Sequence, residues 1–168
     1  SVKLHGRELV GLTDREMQDV RGGDISMIFQ EPMSALNPVF KIGQQIAEVI
    51  CFHLKVSRKN AHKRAVELLD LVGIPMAEQR ANQYPHQLSG GLRQRVAIAI
   101  ALACEPKLLI ADEPTTALDV TVQAAILDLL AALQEEKQMA MILITHDLGV
   151  VSQVTDRIAV MYAGIIVE

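Results

Sequence analysis

The sequence predicts an α/β fold, with a parallel-sheet core and an inserted helical subdomain. Lys107–Ala111 and Met139–Ile144 are apolar without alternation, the pattern of parallel strands covered on both faces. The stretch between Gln30 and Ser89 instead carries helical periodicity, with room for a few helices. Both apolar runs end in polar groups, Asp112-Glu113-Pro114 and Thr145-His146-Asp147, so each strand delivers side chains to its carboxyl edge.

Composition narrows the function. A chain of 168 residues, half of them apolar, can bury one sizeable core. A net charge of -4 and 3% aromatic residues give neither a basic face nor a stacking platform for nucleic acid. Cys51 and Cys104 lack metal or redox spacing and read as two reduced thiols, as expected in the cytosol. The longest apolar stretch, Val96–Cys104, is far short of the ~20 residues of a membrane span. No signal peptide is visible, and repeats and low-complexity segments are absent. The chain opens at Ser1 inside a motif-bearing region, which predicts a piece of a longer protein.

Taken in order, Val2–Leu12 reads as a short strand and turn punctuated by Gly6 and Gly11. Thr13-x-x-Glu16 fits a capping box for a helix from Asp14 to about Arg21, ended by Gly22-Gly23. Ile25–Phe29 has strand character. It stops at Gln30, and the prolines of Glu31-Pro32-Met33-Ser34-Ala35-Leu36-Asn37-Pro38 forbid a continuing strand or helix. Helices follow at Gln44–Leu54 and Asn60–Val72. The second has one apolar face (Ala61, Ala65, Leu68, Leu69, Val72), Ser57 as N-cap, and Gly73 and Pro75 as terminators. Arg58, Lys59, Lys63 and Arg64 read as a solvated basic face, and His53 and His62 as surface or packing residues.

Leu88-Ser89-Gly90-Gly91-Leu92-Arg93-Gln94-Arg95 opens the next helix, Arg93–Cys104. Glycines there let backbone approach an anion, and free N–H groups plus the helix dipole favour negative charge. After the Lys107–Ala111 strand, Asp112 and Glu113 would point to opposite faces if the strand continued. Both serve one site only if it ends between them, as Pro114 implies. Thr116-x-x-Asp119 fits a capping box for a helix to about Glu136, with Ile126, Leu129, Leu130 and Leu133 inward. Beyond Thr145-His146-Asp147 the sequence predicts a short helix from Asp147 to about Val154. A strand over Arg157–Tyr162, a turn at Ala163-Gly164 and a returning strand from Ile165 complete it.

These motifs, in this order, resemble those of the ATP-binding cassette (ABC) ATPases along essentially the whole chain. Gln30 resembles the Q-loop, Ser89–Gly91 the signature, Leu108–Pro114 Walker B, Thr115–Asp119 the D-loop, and His146 the switch histidine. Leu92 departs from the usual signature wording at a variable slot. The wording Met27-Ile-Phe-Gln-Glu-Pro-Met33, closed by Leu36-Asn-Pro38, is similar to the peptide and nickel importer branch.

The resemblance implies a partial P-loop NTPase fold of the ABC nucleotide-binding type. Residues 1–43 would close the N-terminal core lobe and Q-loop, 44–90 the helical subdomain, and 91–168 the signature helix and remaining core. It implies catalytic roles for Glu113 (general base), His146 (γ-phosphate contact) and Gln30. Ser89, Gly90, Gly91 and Gln94 would bind nucleotide held by a partner subunit, and Asp119 would touch that partner. Asp112 and Gln30 would hold Mg²⁺, largely through water, with ATP as the nucleotide. Implied partners are a second nucleotide-binding subunit, transmembrane permease subunits and, indirectly, a substrate-binding protein. The place would be the cytoplasmic face of the plasma membrane, the cargo peptides or related small molecules.

No Gly-x-x-x-x-Gly-Lys-Ser/Thr occurs in the sequence, so the P-loop half of an ATP site is missing and inactivity alone is expected. In relatives the strand before that loop lies beside the strand ending at His146. Its absence predicts a gap between Met139–Ile144 and Arg157–Tyr162 or an unusual pairing, and a chain of marginal stability. Alternative readings are a soluble ABC-type ATPase acting on DNA or ribosomes, and a non-catalytic interaction module. The short helical insert without heptads and the acidic charge speak against the former.

Overall fold

Thr13 starts the first helix as the capping pattern requires. Its hydroxyl accepts the Glu16 N–H at 3.3 Å, and the Glu16 carboxylate accepts the Thr13 N–H at 2.9 Å, closing the box for α1 (Asp14–Val20). The fold is a computed structural model that describes residues 1–116, 118–147, 149, 151 and 155–168. Ahead of α1, β1 (Lys3–Leu4) and β2 (Arg7–Glu8) form a small antiparallel hairpin. Behind it, β3 (Ile25–Ile28) enters the main sheet.

The loop after Gln30 holds one unexpected turn of helix, α2 (Pro32–Ala35). Pro32 occupies its first position, where no N–H is needed and a fixed φ is an advantage. The two predicted helices form as α3 (Ile42–Leu54) and α4 (Arg58–Leu71). Lys55 closes α3 in the left-handed conformation, and Ser57 caps α4 by accepting from Asn60 N–H at 3.3 Å. Ile42, Ile46 and Ile50 recur at helical spacing and are wholly buried with Ala61, Ala65 and Leu69 of α4. Truncating one such isoleucine to alanine costs roughly 2–5 kcal/mol. A further short helix, α5 (Ala77–Arg80), was below the length that periodicity can reveal.

α6 (Gly90–Ala101) starts a turn earlier than expected, because Ser89 is its N-cap. Val96, Ile98 and Ala99 bury it between the helical region and the sheet. β4 (Leu108–Asp112) lies centrally, parallel to β3 and to β5 (Ala140–Ile144), in the order β3-β4-β5. α7 (Val120–Lys137) joins β4 to β5 and turns Ile126, Leu130 and Leu133 inward, with Leu129 half-buried. Its N-cap is Asp119, which accepts the Val122 N–H at 3.0 Å, so the expected Thr116-led capping box does not form.

The sheet corrects the expectation of strands covered on both faces. Ile28, Leu109 and Ala111 share the buried face with the α6 and α7 side chains. The opposite face, where Met27, Ile110 and Ile142 sit in register, leaves Met27 and Ile142 exposed. Of Arg157–Tyr162 only β6 (Met161–Tyr162) is strand, paired solely with β7 (Ile165–Ile166). Among the described residues β5 therefore has one neighbour and lies at the sheet edge, and Arg157–Tyr162 does not face it across a gap as a strand of the same sheet. The helix expected over Asp147–Val154 falls largely on residues outside those described. Among the described residues no helix is long and apolar enough to cross a membrane.

Candidate active site at the carboxyl ends of the strands

The three parallel strands end side by side, and each delivers polar side chains there. β3 leads to Gln30, β4 to Asp112 and Glu113, and β5 to His146. Carboxyl edges of parallel strands are where α/β folds collect ligands.

The chain breaks from extended geometry between the two carboxylates. Asp112 is the last residue of β4, and Glu113 takes φ +44°, in the left-handed region that non-glycine residues rarely adopt. Its N–H still donates to Ile144 O at 2.9 Å, while buried Pro114 fixes the exit. Asp112 thus keeps the register of Ile110 on the open face while Glu113 escapes strand alternation. The expected termination between the acids occurs.

Glu113 is the hub. Its Oε2 accepts from Thr116 Oγ1 at 2.8 Å and from Gln30 Nε2 at 2.9 Å, and its Oε1 lies 3.1 Å from His146 Nδ1. The side chain remains one-quarter exposed, so a bound molecule can reach it. The Thr116 hydroxyl, followed by His146, holds the Glu113 carboxyl below the usual carboxylate range. An ionised carboxylate oriented by three donors can take a proton from water. Gln30, Glu113 and His146, distant in sequence, are thereby brought together. Thr116 is a site residue that sequence reading missed, because its spacing to Asp119 mimicked a cap.

Asp112 accepts no hydrogen bond and forms no ion pair among the described residues, leaving both oxygens available. No cluster of three or more acidic, histidine or cysteine ligands exists among them. One carboxylate with both oxygens uncommitted fits a cation such as Mg²⁺, which keeps several waters and takes other oxygens from phosphate.

The signature residues form a second group, with no hydrogen bond to the first among the described residues. Ser89 caps α6, its Oγ accepting the Leu92 N–H at 3.4 Å, and Ser89 and Gly90 are exposed. A Cβ on Gly91 would lie 2.8 Å from Val122 Cγ1, so this glycine is needed where α6 meets α7. A Cβ on Gly90 would meet only Leu118, at 3.7 Å. Gln94, expected to contact nucleotide, is 1% exposed, one turn inside α6, and its Nε2 has no hydrogen-bond partner among the described residues. Arg93 Nε donates to Pro85 O at 3.0 Å, and Arg95 Nη1 donates to Val72 O, tying α6 to the end of α4. Asp119 is exposed at the head of α7, where capping does not preclude contact with another subunit.

The profile of the ABC transporter family matches residues 1–116. The oligopeptide transport ATP-binding protein OppD of Bacillus subtilis is 63% identical over 99% of this chain and 47% of its own length. AppD, another oligopeptide transport ATP-binding protein of that organism, is 56% identical over 100% of this chain and 51% of its own length. The chain spans about half the length of these curated relatives. Among solved structures, the ADP- and Pi-bound post-hydrolysis dimer of the ATP-binding cassette MJ0796 aligns with a TM-score of 0.76 at 35% identity. That alignment covers 88% of this chain and 62% of the other. CbiO1 of Clostridium perfringens, part of the ABC transporter complex cbiONQ, aligns with a TM-score of 0.77 at 31% identity, covering 92% and 58%. The shared parallel sheet, the motif order and these matches agree: the chain belongs to the ABC transporter family.

Proposed function

We propose that this chain supplies the hydrolytic centre and signature surface of an ATPase that drives import of peptides or related small cargo. The observation that carries the reading is the Glu113 carboxylate, ionised, one-quarter exposed, and held by Thr116, Gln30 and His146 at the strand ends. Glu113 accepts a proton from the attacking water. His146, bonded to Glu113, contacts the terminal phosphate. Gln30 links the carboxylate to the loop that leads into the helical subdomain, so movement of residues 44–90 reaches the base. Asp112, with Gln30, would hold Mg²⁺, which when bound neutralises phosphate charge.

Ser89, Gly90 and Gly91 close over ATP carried by a second nucleotide-binding subunit, and Asp119 meets that subunit. The sequence given holds no Walker A loop. We divide the chain into core lobe and Q-loop (1–43), helical subdomain (44–90) and signature-to-switch core (91–168). The OppD and AppD names and the loop wording after Gln30 support this cargo class. Transmembrane permease subunits are then the direct partners and a substrate-binding protein the indirect one, at the cytoplasmic face of the membrane. Homodimer and heterodimer with a paralogue both fit.

A pull-down of the chain against peptide-permease subunits, run beside ribosomes and DNA, tests the transport reading. Retention on permease subunits alone is expected; capture only by ribosomes or DNA overturns it.

A further inference from the structure

The first turn of α3 buries an amide that the site does not use. Gln45 is 9% exposed, beside Ile42 and Ile46, which are wholly buried. A carboxamide in such company is costly unless its hydrogen bonds are made. It makes them to the loop that follows Gln30. Gln45 Oε1 accepts the Asn37 N–H at 2.9 Å, and Nε2 donates to Asn37 O and to Phe40 O, each at 2.9 Å. Both amide hydrogens and the oxygen are thus committed to one exposed stretch, residues 37–40. The same turn binds a second segment. Lys41 offers α3 no side-chain cap. The N–H groups of Ile42 and Gly43 donate instead to Gln83 O and Ala81 O, both at 2.9 Å. A Cβ on Gly43 would lie 2.8 Å from Ala81 Cβ and 2.9 Å from Ala81 O, so the two backbones are in direct contact. Gln83 leads on to Ser89 through a 3₁₀ turn (Pro85–Gln87) whose Pro85 carbonyl is held by Arg93 of α6.

Gln30 and Ser89, far apart in sequence, are therefore joined through one helical turn. We propose that Gln45 is a positioning residue: it clasps the loop after Gln30 to α3, so that the Gln30–Glu113 bond and the signature surface keep one register. The consequence for turnover rests on the proposed function. There Gln30 serves the nucleotide at this chain's Glu113, and Ser89 serves the nucleotide of a second subunit. The clasp ties those two sites together within one chain. A role confined to closing the turn at 37–40 would end at Asn37 and Phe40. The bonds of Ile42 and Gly43 instead carry the constraint to residues 81–89, a contiguous route whose coupling can be measured.

Amide hydrogen exchange of the intact chain reads the clasp without nucleotide. Gln45→Met keeps the side-chain volume and removes all three bonds. Exchange at Asn37 should quicken by about tenfold. Exchange at Ile42, Gly43 and Leu92, whose N–H is capped by Ser89, should quicken with it. The Glu16 N–H of the Thr13 box should be unchanged, and the exposed-neighbour variant Gln44→Met should alter none of these amides. Gln45→Glu keeps the acceptor and removes both donors, and carries the same test at Ile42, Gly43 and Leu92 if circular dichroism shows Gln45→Met unfolded. A change confined to residues 37–40 overturns the proposal. With a phosphate-binding loop joined ahead of Ser1, Gln45→Met should lower kcat by about tenfold at unchanged KM for ATP. Adding it to Gln30→Ala should lower kcat no further than Gln30→Ala alone, because it acts through Gln30. Unchanged kcat, or losses that multiply, overturn the proposal as well. A parent without turnover counts against the proposed function and leaves the exchange pattern to decide the clasp.

Discussion

Gly73→Ala probes how the signature helix is fixed. Gly73 ends α4 with φ +75°, its N–H donating to Asp70 O at 2.8 Å while the next N–H donates to Leu69 O at 2.9 Å. An alanine in the left-handed region costs about 1–2 kcal/mol. Its methyl would also lie 2.8 Å from Arg95 Nη1, the group that donates to Val72 O. Arginine is flexible and will swing away, but the charge-assisted bond is lost, at about 1.5–3 kcal/mol. Allowing for partial recovery by water, the total is about 2–4 kcal/mol, a fall in Tm of about 5–15 °C for a domain of this size. Thermal and urea unfolding of Gly73→Ala, Arg95→Ala and the double variant resolve the two parts. Both single changes remove the same bond, so the double variant should be less destabilised than their sum by about 1–2 kcal/mol. Strict additivity, or a Tm within 2 °C of the parent for Gly73→Ala, would refute the claim that Arg95 anchors α6 to α4.

With a phosphate-binding loop joined to this chain ahead of Ser1, Glu113→Gln should lower ATP turnover by about a hundredfold or more while ATP-dependent subunit association survives; unchanged turnover would remove Glu113 as the base. Thr116→Val should lower turnover several-fold at unchanged KM for ATP, and Thr116→Ser should restore it; equal activity of the two variants would deny the hydroxyl a positioning role. Glu8, Glu16 and Glu113 are held below the usual carboxylate range, with Ser1, Thr13 and Thr116 as leading hydrogen-bond partners. A depressed folded pKa gives stability that is present above the unfolded pKa and is lost as pH falls through the folded one. Acid titration of stability should therefore show a loss below the usual carboxylate range, shallower in Glu16→Gln; an unchanged acid limb would contradict this. The open face at Met27 and Ile142 should make the chain marginal alone, so a sharp cooperative melt well above room temperature would speak against it.

Local chemistry was the legible part of this fold. The Thr13–Glu16 box, the Ser57 cap and the Gly73 terminator are written in neighbouring residues, and each appears at its place. The kink between Asp112 and Glu113 followed from two requirements on one short segment, shared purpose and strand alternation. Tertiary choices were less legible. Thr116 had two credible partners at short range, and the carboxylate won over the helix end because Asp119 already capped α7. Apolar Ile142 and Ile144 announce strand, yet nothing local says what covers them, and one face of β5 is bare. Gln94 read as part of a binding motif from its spacing, and that spacing does not tell that its side chain is buried while Ser89 and Gly90 are exposed.

Calorimetric titration of Mg²⁺–ATP into the chain alone bears most directly on its division of labour. No heat of binding is expected, because no loop of the sequence can wrap the β- and γ-phosphates. An ATP-dependent complex should form once a cassette carrying that loop is added, and Ser89→Ala should weaken it. Tight binding by the chain alone would contradict this, and would place the phosphate site among residues assigned other work.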